Sequence, residues 1–267
     1  MALRIVMMAQ EEPVYMGPYL IEVMRARRAD VVAFAVAPVR GVAGKETDEQ
    51  RDSMLLMLET WHAVQALAVK KRWALLQRMG ALGAWLDGRS LTREAQRLGI
   101  PVIPFEKAND ESFLEKLRAL EPDIVFNQSE MLLKEKILKL PRLGVVNRHG
   151  SLLPKHRGRV GSFWAHAAGE PEIGITVHFV DEGVDTGPII HQERFPSDPR
   201  WSYGKVIERV FLHSPGVVLR AFEKMERPGF QTVPNEWKAE GTPAHKFPTL
   251  DEVKAYREDL ARRRARR

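Results

Sequence analysis

The 267-residue chain contains no cysteine, which excludes disulfide bonds and metal sites built from thiolates. No apolar run in it approaches the ~20 residues that a transmembrane helix needs, so we expect no membrane contact. Residues 1–13 hold only a short apolar stretch, broken by Gln10 and two glutamates, and are not expected to form a signal peptide. Together these absences favour a cytoplasmic protein.

Motifs for nucleotides, covalent catalysis and catalytic metals are missing too. Neither G-x-G-x-x-G nor G-x-x-x-x-G-K-[ST] occurs, so we predict no dinucleotide site and no ATP site. No serine lies in a G-x-S-x-G elbow. Histidines are frequent after residue 148, but none belongs to an H-E-x-x-H helix or to a comparable pair of ligands, and we predict no metal.

The positive charge of the chain is local. The formal net charge is +6, but arginines occupy positions 262, 263, 264, 266 and 267, and without these five the charge falls to +1. Two interpretations remain open. The tail is either the solvated end of a helix or an arm for an anionic surface.

What the sequence does contain is a series of short apolar runs that alternate with helical stretches. Such runs are typical of parallel strands buried on both faces. The order predicts an α/β fold, with a Rossmann-like, mostly parallel sheet and flanking helices. The predicted strands lie at 3–9, 30–39, 100–105, 122–128, 143–146 and 173–180.

The chain divides into a predicted catalytic domain, residues 1–200, and a C-terminal helical extension, residues 201–267, that ends in the basic tail. Within the extension, residues 201–229 predict two helices separated at Ser214-Pro215-Gly216. In the catalytic domain, the sequence of residues 134–144 predicts one further helix.

A helical insertion, residues 46–87, is rich in leucine, methionine, alanine and tryptophan. It either packs on the domain as a helical hairpin, or forms a homodimer face or a lid over a substrate. The apolar residues at helical spacing are Leu55, Leu58, Trp61, Val64, Leu75, Met79 and Leu82.

Three polar side chains come just after apolar strands. Asn147 and His149 follow the strand at 143–146, and Asp185 follows the strand at 173–180. In open α/β sheets, ligands bind beyond the carboxyl ends of strands. An amide can donate to an oxygen that gains charge, an imidazole can move a proton near neutral pH, and a carboxylate can orient that imidazole. Each residue is also common in turns, so only their combination favours acyl transfer.

The string N-x-H-x-S-L-L-P-x-x-R-G at 147–158, followed by V-D-T-G-P-I-I-x-Q at 184–192, resembles the formyltransferase family that uses 10-formyltetrahydrofolate. That family acts on methionyl-tRNA, glycinamide ribonucleotide and amino-sugar nucleotides. The resemblance is close over residues 120–192. It implies that Asn147, His149 and Asp185 are catalytic and that 10-formyltetrahydrofolate is the co-substrate.

The resemblance also implies which residues bind the two substrates. Gln128 and Ser129 stand where family members often have Gly-Tyr or Gly-Phe, so a structural turn remains an alternative there. A basic loop beside Arg159 either meets an acceptor phosphate or is solvated. The folate-binding residues implied are Gln128, Met131, Leu132, Leu133, Val180, Asp181, Glu182, Gly183 and Val184, and the acceptor-binding residues are Ser151, His156 and Arg157.

The acceptor is expected to be a small-molecule amine carried by a nucleotide sugar. Residues 201–267 are too short for the roughly hundred-residue β-barrel domain typical of methionyl-tRNA formyltransferases, which makes nucleic acid a less favoured partner. Two alternatives stay open: a methionyl-tRNA formyltransferase-like enzyme without that domain, and a folate-binding relative without catalysis.

Overall fold

A computed structural model describes residues 2–37, 48–79, 82–83, 86, 88–241 and 243–266. The predicted insertion therefore lies partly outside the described residues. Among the described residues, no helix is both long enough and apolar enough to cross a bilayer.

Within the described part of the chain, the strands form a seven-stranded sheet in the order β3-β2-β1-β4-β5-β6-β7. Strands β1 to β5 are parallel, and β6 and β7 are antiparallel. The predicted α/β class is confirmed, whereas β7 is absent from the sequence-based prediction. The strands are β1 Ile5–Gln10, β2 Val31–Ala37, β3 Val102–Pro104, β4 Ile124–Gln128, β5 Gly144–His149, β6 Glu172–Phe179 and β7 Ile189–Pro196.

Helices cover both faces of the sheet. Alternate residues of β1 show this, because Ile5 and Met7 pack into one apolar cluster and Val6 and Met8 into the other. Neither face of such a strand contacts solvent, which explains why its sequence is continuously apolar. The helices are α1 Met16–Ala26, α2 Asp48–Arg78, α3 Leu91–Arg97, α4 Glu111–Ala119, α5 Glu135–Leu138, α6 Gly161–Ala167, α7 Tyr203–Met225, α8 Trp237–Glu240 and α9 Leu250–Ala265.

Two helix predictions are wrong. Helix α7 runs unbroken through Pro215, and the side chain of Ser214 donates to the Val210 carbonyl at 2.7 Å within the helix. Pro215 and Val217 are buried, so packing against the core holds the helix together across a residue that lacks an N–H. Helix α5 ends at Leu138 rather than continuing to residue 144.

The buried residues of the insertion are mostly not the apolar residues that recur at helical spacing. Glu59 has a φ of 59° inside α2, and this kink shifts the buried face of the helix. Met57 and Leu58 reach the core before the kink, whereas Ala63 and Ala66 are buried after it. Five of the seven apolar residues at helical spacing are exposed: Trp61, Val64, Leu75, Met79 and Leu82.

Part of the basic tail is docked on the protein. Arg263 donates to the carbonyls of His166 and Ala167 at 2.9 and 2.7 Å. Arg264 donates to the Arg200 carbonyl at 2.9 Å and pairs with Glu59 at 3.0 Å. These two arginines anchor the end of α9 to the protein, while the Arg264 side chain stays 44% exposed.

Candidate active site

Strand register brings three polar residues into one row. Asn127 of β4 lies beside Asn147 of β5, which in turn lies opposite His178 of β6. The row faces a cavity of about 750 Å³ at the carboxyl ends of β4 and β5. A cavity of this size suits a drug-sized ligand. Its walls comprise Gln50, Asn127, Ser129–Leu133, Asn147, Gly158–Arg159, His178, Val180–Asp185 and Ala244–Phe247.

The Asn147 amide has a fixed orientation. Its Oδ1 accepts from Gln128 Nε2 at 2.7 Å, which turns its Nδ2 towards His178 Nε2, 3.5 Å away. Gln128 is itself held, because it donates to the Asn127 carbonyl at 2.7 Å and accepts from the Tyr19 hydroxyl at 3.3 Å. Gln128, expected to contact folate, thus lies behind Asn147, and the Asn147 N–H groups are directed to the cavity side.

His178 lies at the centre of the site, although it was not among the site residues predicted from the sequence. Its Nδ1 donates to the Phe179 carbonyl at 2.8 Å, because a carbonyl can only accept. Its Nε2 faces both Asn147 and Asp185 Oδ1, each at 3.5 Å. The side chain is 1% exposed and contributes to the cavity wall. Nε2 is therefore the ring nitrogen left to interact with Asn147 and Asp185.

His149 lies one layer behind the cavity wall. Its Nε2 donates to the His156 carbonyl at 2.9 Å, and its Nδ1 faces Asp185 Oδ2 at 3.4 Å. Burial holds the pKa of His149 below its usual value, although the Asp185 carboxylate opposes that shift. The imidazole is thus neutral in the resting site, and Nδ1 is the position at which a proton would be stabilised by Asp185.

Asp185 connects the two imidazoles. Its backbone is left-handed, with a φ of 50°, and its Oδ2 accepts from the Gly158 N–H at 2.8 Å. Burial alone would raise the pKa of Asp185. The facing His149 and His178 rings and the Gly158 N–H outweigh it and hold the pKa well below the usual range. One ionised carboxylate therefore serves two imidazoles, and it stabilises a proton on either ring.

The loop before Asp185 presents exposed backbone to the cavity. Asp181 organises it by accepting from the Gly183 N–H at 3.1 Å and the Thr186 hydroxyl at 2.5 Å. A Cβ at Gly183 would lie 2.0 Å from the Thr186 hydroxyl oxygen, so glycine is required for this turn. Val180, Asp181, Glu182, Gly183 and Val184 all line the cavity, where the family resemblance expects a folate ring.

The segment after β4 forms the facing wall. Leu132 is 85% exposed, and Met131 and Leu133 beside it are half-buried. Asn109 holds this segment from outside, since it donates to the Leu132 carbonyl and accepts from the Lys134 N–H, each at 2.8 Å. An exposed leucine on a braced backbone is a surface that an apolar ligand would cover.

Three predicted acceptor-binding residues lie away from the cavity wall. Ser151 is 1% exposed and its hydroxyl bonds to carbonyls within its own turn. His156 stacks on His245 at a ring separation of 5.6 Å. Arg157 is buried, donates to the Val184 carbonyl at 3.1 Å and lies over the Trp237 ring. These residues brace the loops around the cavity, whereas Arg159 lines it directly.

Residues 244–247 also line the cavity, a contribution that was not predicted from the sequence. His245 pairs by its backbone with Arg157 and Arg159, at 2.7 and 2.9 Å, and Arg159 lies over the Phe247 ring at 5.1 Å. This segment has no regular periodicity and lies far along the chain from residue 158, so no local pattern indicated the contact. Within the described ranges, no cluster of three or more His, Cys, Asp or Glu side chains could hold a metal ion.

Comparison with known proteins agrees with the fold and with the motifs. The profile of the formyl transferase family matches residues 87–221, about half of the chain, and this chain belongs to that family. The expected family is thereby confirmed. The matched segment contains Asn147, His149, His178 and Asp185.

The relatives are similar over part of their length. The methionyl-tRNA formyltransferase of Parabacteroides distasonis is 41% identical over 118 residues, which cover 44% of this chain and 36% of the relative. That of Thermodesulfovibrio yellowstonii is 33% identical over 147 residues, covering 54% of this chain and 47% of the relative. The chain thus spans less than half of the length of these relatives.

Among solved structures, the phosphoribosylglycinamide formyltransferase of Anaplasma phagocytophilum superposes with a TM-score of 0.59 and 18% identity, covering 84% of this chain and 87% of its own. Glycinamide ribonucleotide transformylase 1 of Symbiobacterium toebii gives a TM-score of 0.56 and 19% identity, covering 87% and 93%. Similarity at this level shows a shared fold.

Proposed function

We propose that this protein transfers a formyl group from 10-formyltetrahydrofolate to a primary amine. The observation that carries the proposal is the convergence of Asn147, His178 and Asp185 on one cavity. His178 Nε2 lies 3.5 Å from both the Asn147 amide nitrogen and the Asp185 carboxylate. A hydrogen-bond donor, a titratable base and a fixed carboxylate are the groups that amine acylation needs.

The cavity fits the folate donor in size and in lining. Its volume of about 750 Å³ admits a flat bicyclic ring together with part of a tail. Met131, Leu133 and Val180 offer apolar contacts, and the backbone of Asp181–Val184 offers hydrogen bonds to the edge of a ring. The exposed side chain of Leu132 would be covered by such a ligand. The donor supplies a formyl carbon that an amine can attack.

Asn147 would stabilise the charge that develops on the formyl oxygen. Its amide is oriented before the reaction by Gln128, so no reorganisation is needed in the transition state. Loss of one such donor typically lowers turnover on the order of 10²–10³-fold. The Asn147 side chain is half-buried, which also keeps water from competing strongly for its N–H groups.

The proton of the attacking amine needs an acceptor and then a route to the departing donor nitrogen. His178 Nε2 faces the cavity and would take this proton, and Asp185 would stabilise the resulting imidazolium. The other carboxylate oxygen faces His149 Nδ1 at 3.4 Å. The new C–N bond forms first and gives a tetrahedral intermediate, and the bond to the donor nitrogen then breaks as that nitrogen receives the proton from His178.

For the acceptor, we favour an amine carried by a nucleotide sugar. The usual anion position at the first helix N-terminus of such folds is filled here by the chain itself. Glu12 accepts from the N–H groups of Val14, Tyr15 and Met16 at 2.8–2.9 Å. Acceptor phosphates would therefore bind at the rim, where Arg159 and Lys246 line the cavity.

Methionyl-tRNA is the second candidate acceptor. The supporting observation is that the curated relatives described above are methionyl-tRNA formyltransferases. The salt dependence of activity distinguishes the two acceptors. A tRNA acceptor would lose affinity steeply as salt rises, because several phosphates would be contacted at once, whereas a nucleotide sugar would show a shallow dependence.

The test is turnover of 10-formyltetrahydrofolate with a panel of amino-sugar nucleotides, small amines and charged initiator tRNA. We expect amine-dependent release of tetrahydrofolate with at least one nucleotide sugar, and its loss in Asn147→Ala. Turnover in Asn147→Ala equal to that of the parent protein would contradict the assigned chemistry. Formylation of tRNA alone would select the second candidate.

A further inference from the structure

Asp185 lies on a loop whose internal contacts do not fully fix the position of the Asp185 side chain. Asp181, Glu182, Gly183 and Val184 are exposed, and Asp185 has a left-handed backbone. A shift of this loop would move the carboxylate relative to both imidazoles, and misplacement by ~1 Å can cost on the order of 10²-fold in rate. Its position must therefore be supported from elsewhere in the protein.

The support comes from residues 233–241 and 243–247, which we name the C-terminal strap. The strap lies beyond residues 87–221, the segment that matches the family. The Asn235 side-chain amide donates to the Asp185 carbonyl at 3.0 Å and to the Gly187 carbonyl at 3.1 Å. Because both partners are carbonyls, only the NH₂ end of the amide can face them.

The environment of Asn235 indicates a specialised role. Its Oδ1 is buried and has no hydrogen-bond partner among the residues that the structure describes. A buried oxygen without such a partner is unfavourable, so this amide is not an efficient way to stabilise the fold. The strap also pairs Val233 with Ile189 through two backbone hydrogen bonds of 2.8 Å, on the far side of the same loop.

A second part of the strap holds the carboxylate end of Asp185. The His245 backbone pairs with Arg157 and Arg159 and so fixes Gly158, whose N–H donates to Asp185 Oδ2. A Cβ at Gly158 would lie 2.3 Å from the His245 carbonyl oxygen, which shows how closely the two segments pass. The strap thus binds the backbone carbonyl of Asp185 directly, and it holds the Asp185 carboxylate through Gly158.

We infer that Asn235 is a positioning residue for the reaction, and that the strap completes the active site by fixing Asp185 between His149 and His178. This inference rests on the proposed function for its kinetic consequence. Its structural consequence, the placement of Asp185 beside His149, can be measured without any turnover.

The test compares Asn235→Asp and Asn235→Ala with Gln231→Ala, which removes an exposed amide just before the strap. Asn235→Asp keeps the shape of the side chain and loses both N–H donors. We expect both Asn235 variants to lower kcat by about 10–10²-fold, to leave KM for the donor within about 3-fold, and to keep a parent-like melting profile. Gln231→Ala should match the parent protein.

The structural readout is the titration of His149, followed by NMR on labelled histidine and assigned with His149→Gln. Asp185, His178, Arg148 and the His156 carbonyl face this ring. If Asp185 moves away in Asn235→Ala, attraction is lost while burial remains, so the pKa of His149 falls further. Asn235→Asp adds a carboxylate of its own beside this loop and is therefore compared by kcat alone. An unchanged titration together with an unchanged kcat would overturn the inference. A parent protein without formyl transfer would refute the proposed function, and the titration would still decide the role of Asn235.

Discussion

Replacing Asp185 with asparagine removes one charge and changes the shape of the site little. In the parent protein the carboxylate oxygens lie 3.4 Å from His149 Nδ1 and 3.5 Å from His178 Nε2. A unit charge pair at this separation, with an effective dielectric constant of about 20, is worth roughly 4–5 kcal/mol. If the amine proton resides on an imidazole in the transition state, Asp185→Asn should lower kcat by about 10³-fold.

The assay is release of tetrahydrofolate at saturating donor and acceptor, with folding checked by circular dichroism. Asp198→Asn is the matched control, because Asp198 is a surface carboxylate that pairs with Arg200 at 2.9 Å. It should retain the parent rate. A kcat for Asp185→Asn within about 3-fold of the parent value would show that no charged imidazole forms beside this carboxylate, and the proton route through His178 would be refuted.

Three further predictions follow from single contacts. Gln128→Leu removes the hydrogen bond that orients the Asn147 amide, so kcat should fall about 10-fold while the KM for the donor stays unchanged. Steady-state kinetics measures both constants, and an unchanged kcat would contradict this prediction. Gly158→Ala places a Cβ 2.3 Å from the His245 carbonyl oxygen at a φ of +94°, so calorimetry should show loss of stability together with activity. The pKa of His149 is lowered by burial, so the unfolded chain takes up its proton first, and unfolding free energy should fall as pH drops below about 6.5. Denaturant titrations of His149→Gln should show a smaller slope of unfolding free energy against pH, by at most the contribution of one proton. The slope should keep its sign, because burial also lowers the pKa values of His156, His166 and His245.

The parallel part of the fold could be predicted from the sequence because its strands are buried on both faces. The runs that include Ile5–Gln10 and Ile124–Gln128 are apolar at successive positions, which fits few other structures. The two ends of α3 carry residue types that favour a helix start and a helix end. Ser90 caps it by accepting from the Arg93 N–H, and Gly99 follows it with a φ of +66°.

The remaining elements depend on contacts that a local pattern does not record. Strand β7 alternates buried and exposed residues only in part, and Pro215 is accommodated inside α7 by tertiary packing. The exposed face of α2 follows from a kink at Glu59, which helical spacing does not reveal. In each case the decisive interaction is with residues distant in the sequence.

The same limit applies to the site. Asn147, His149 and Asp185 were selected because they follow strands in a distinctive order. His178 lies within the apolar strand β6, where a histidine reads as a core residue, and only pairing with β5 places it beside Asn147. Asn235 and His245 contact the site from 50 or more residues beyond Asp185, through backbone carbonyls that any sequence provides.

The most direct test of the central claim is whether an amine acquires the formyl group of 10-formyltetrahydrofolate in the presence of this protein. Mass spectrometry of the acceptor after incubation would detect the added group. We predict formylation by the parent protein and its near-complete loss in Asn147→Ala and Asp185→Asn. A parent protein that binds the folate but formylates no amine, or variants that formylate as fast as the parent, would contradict the account.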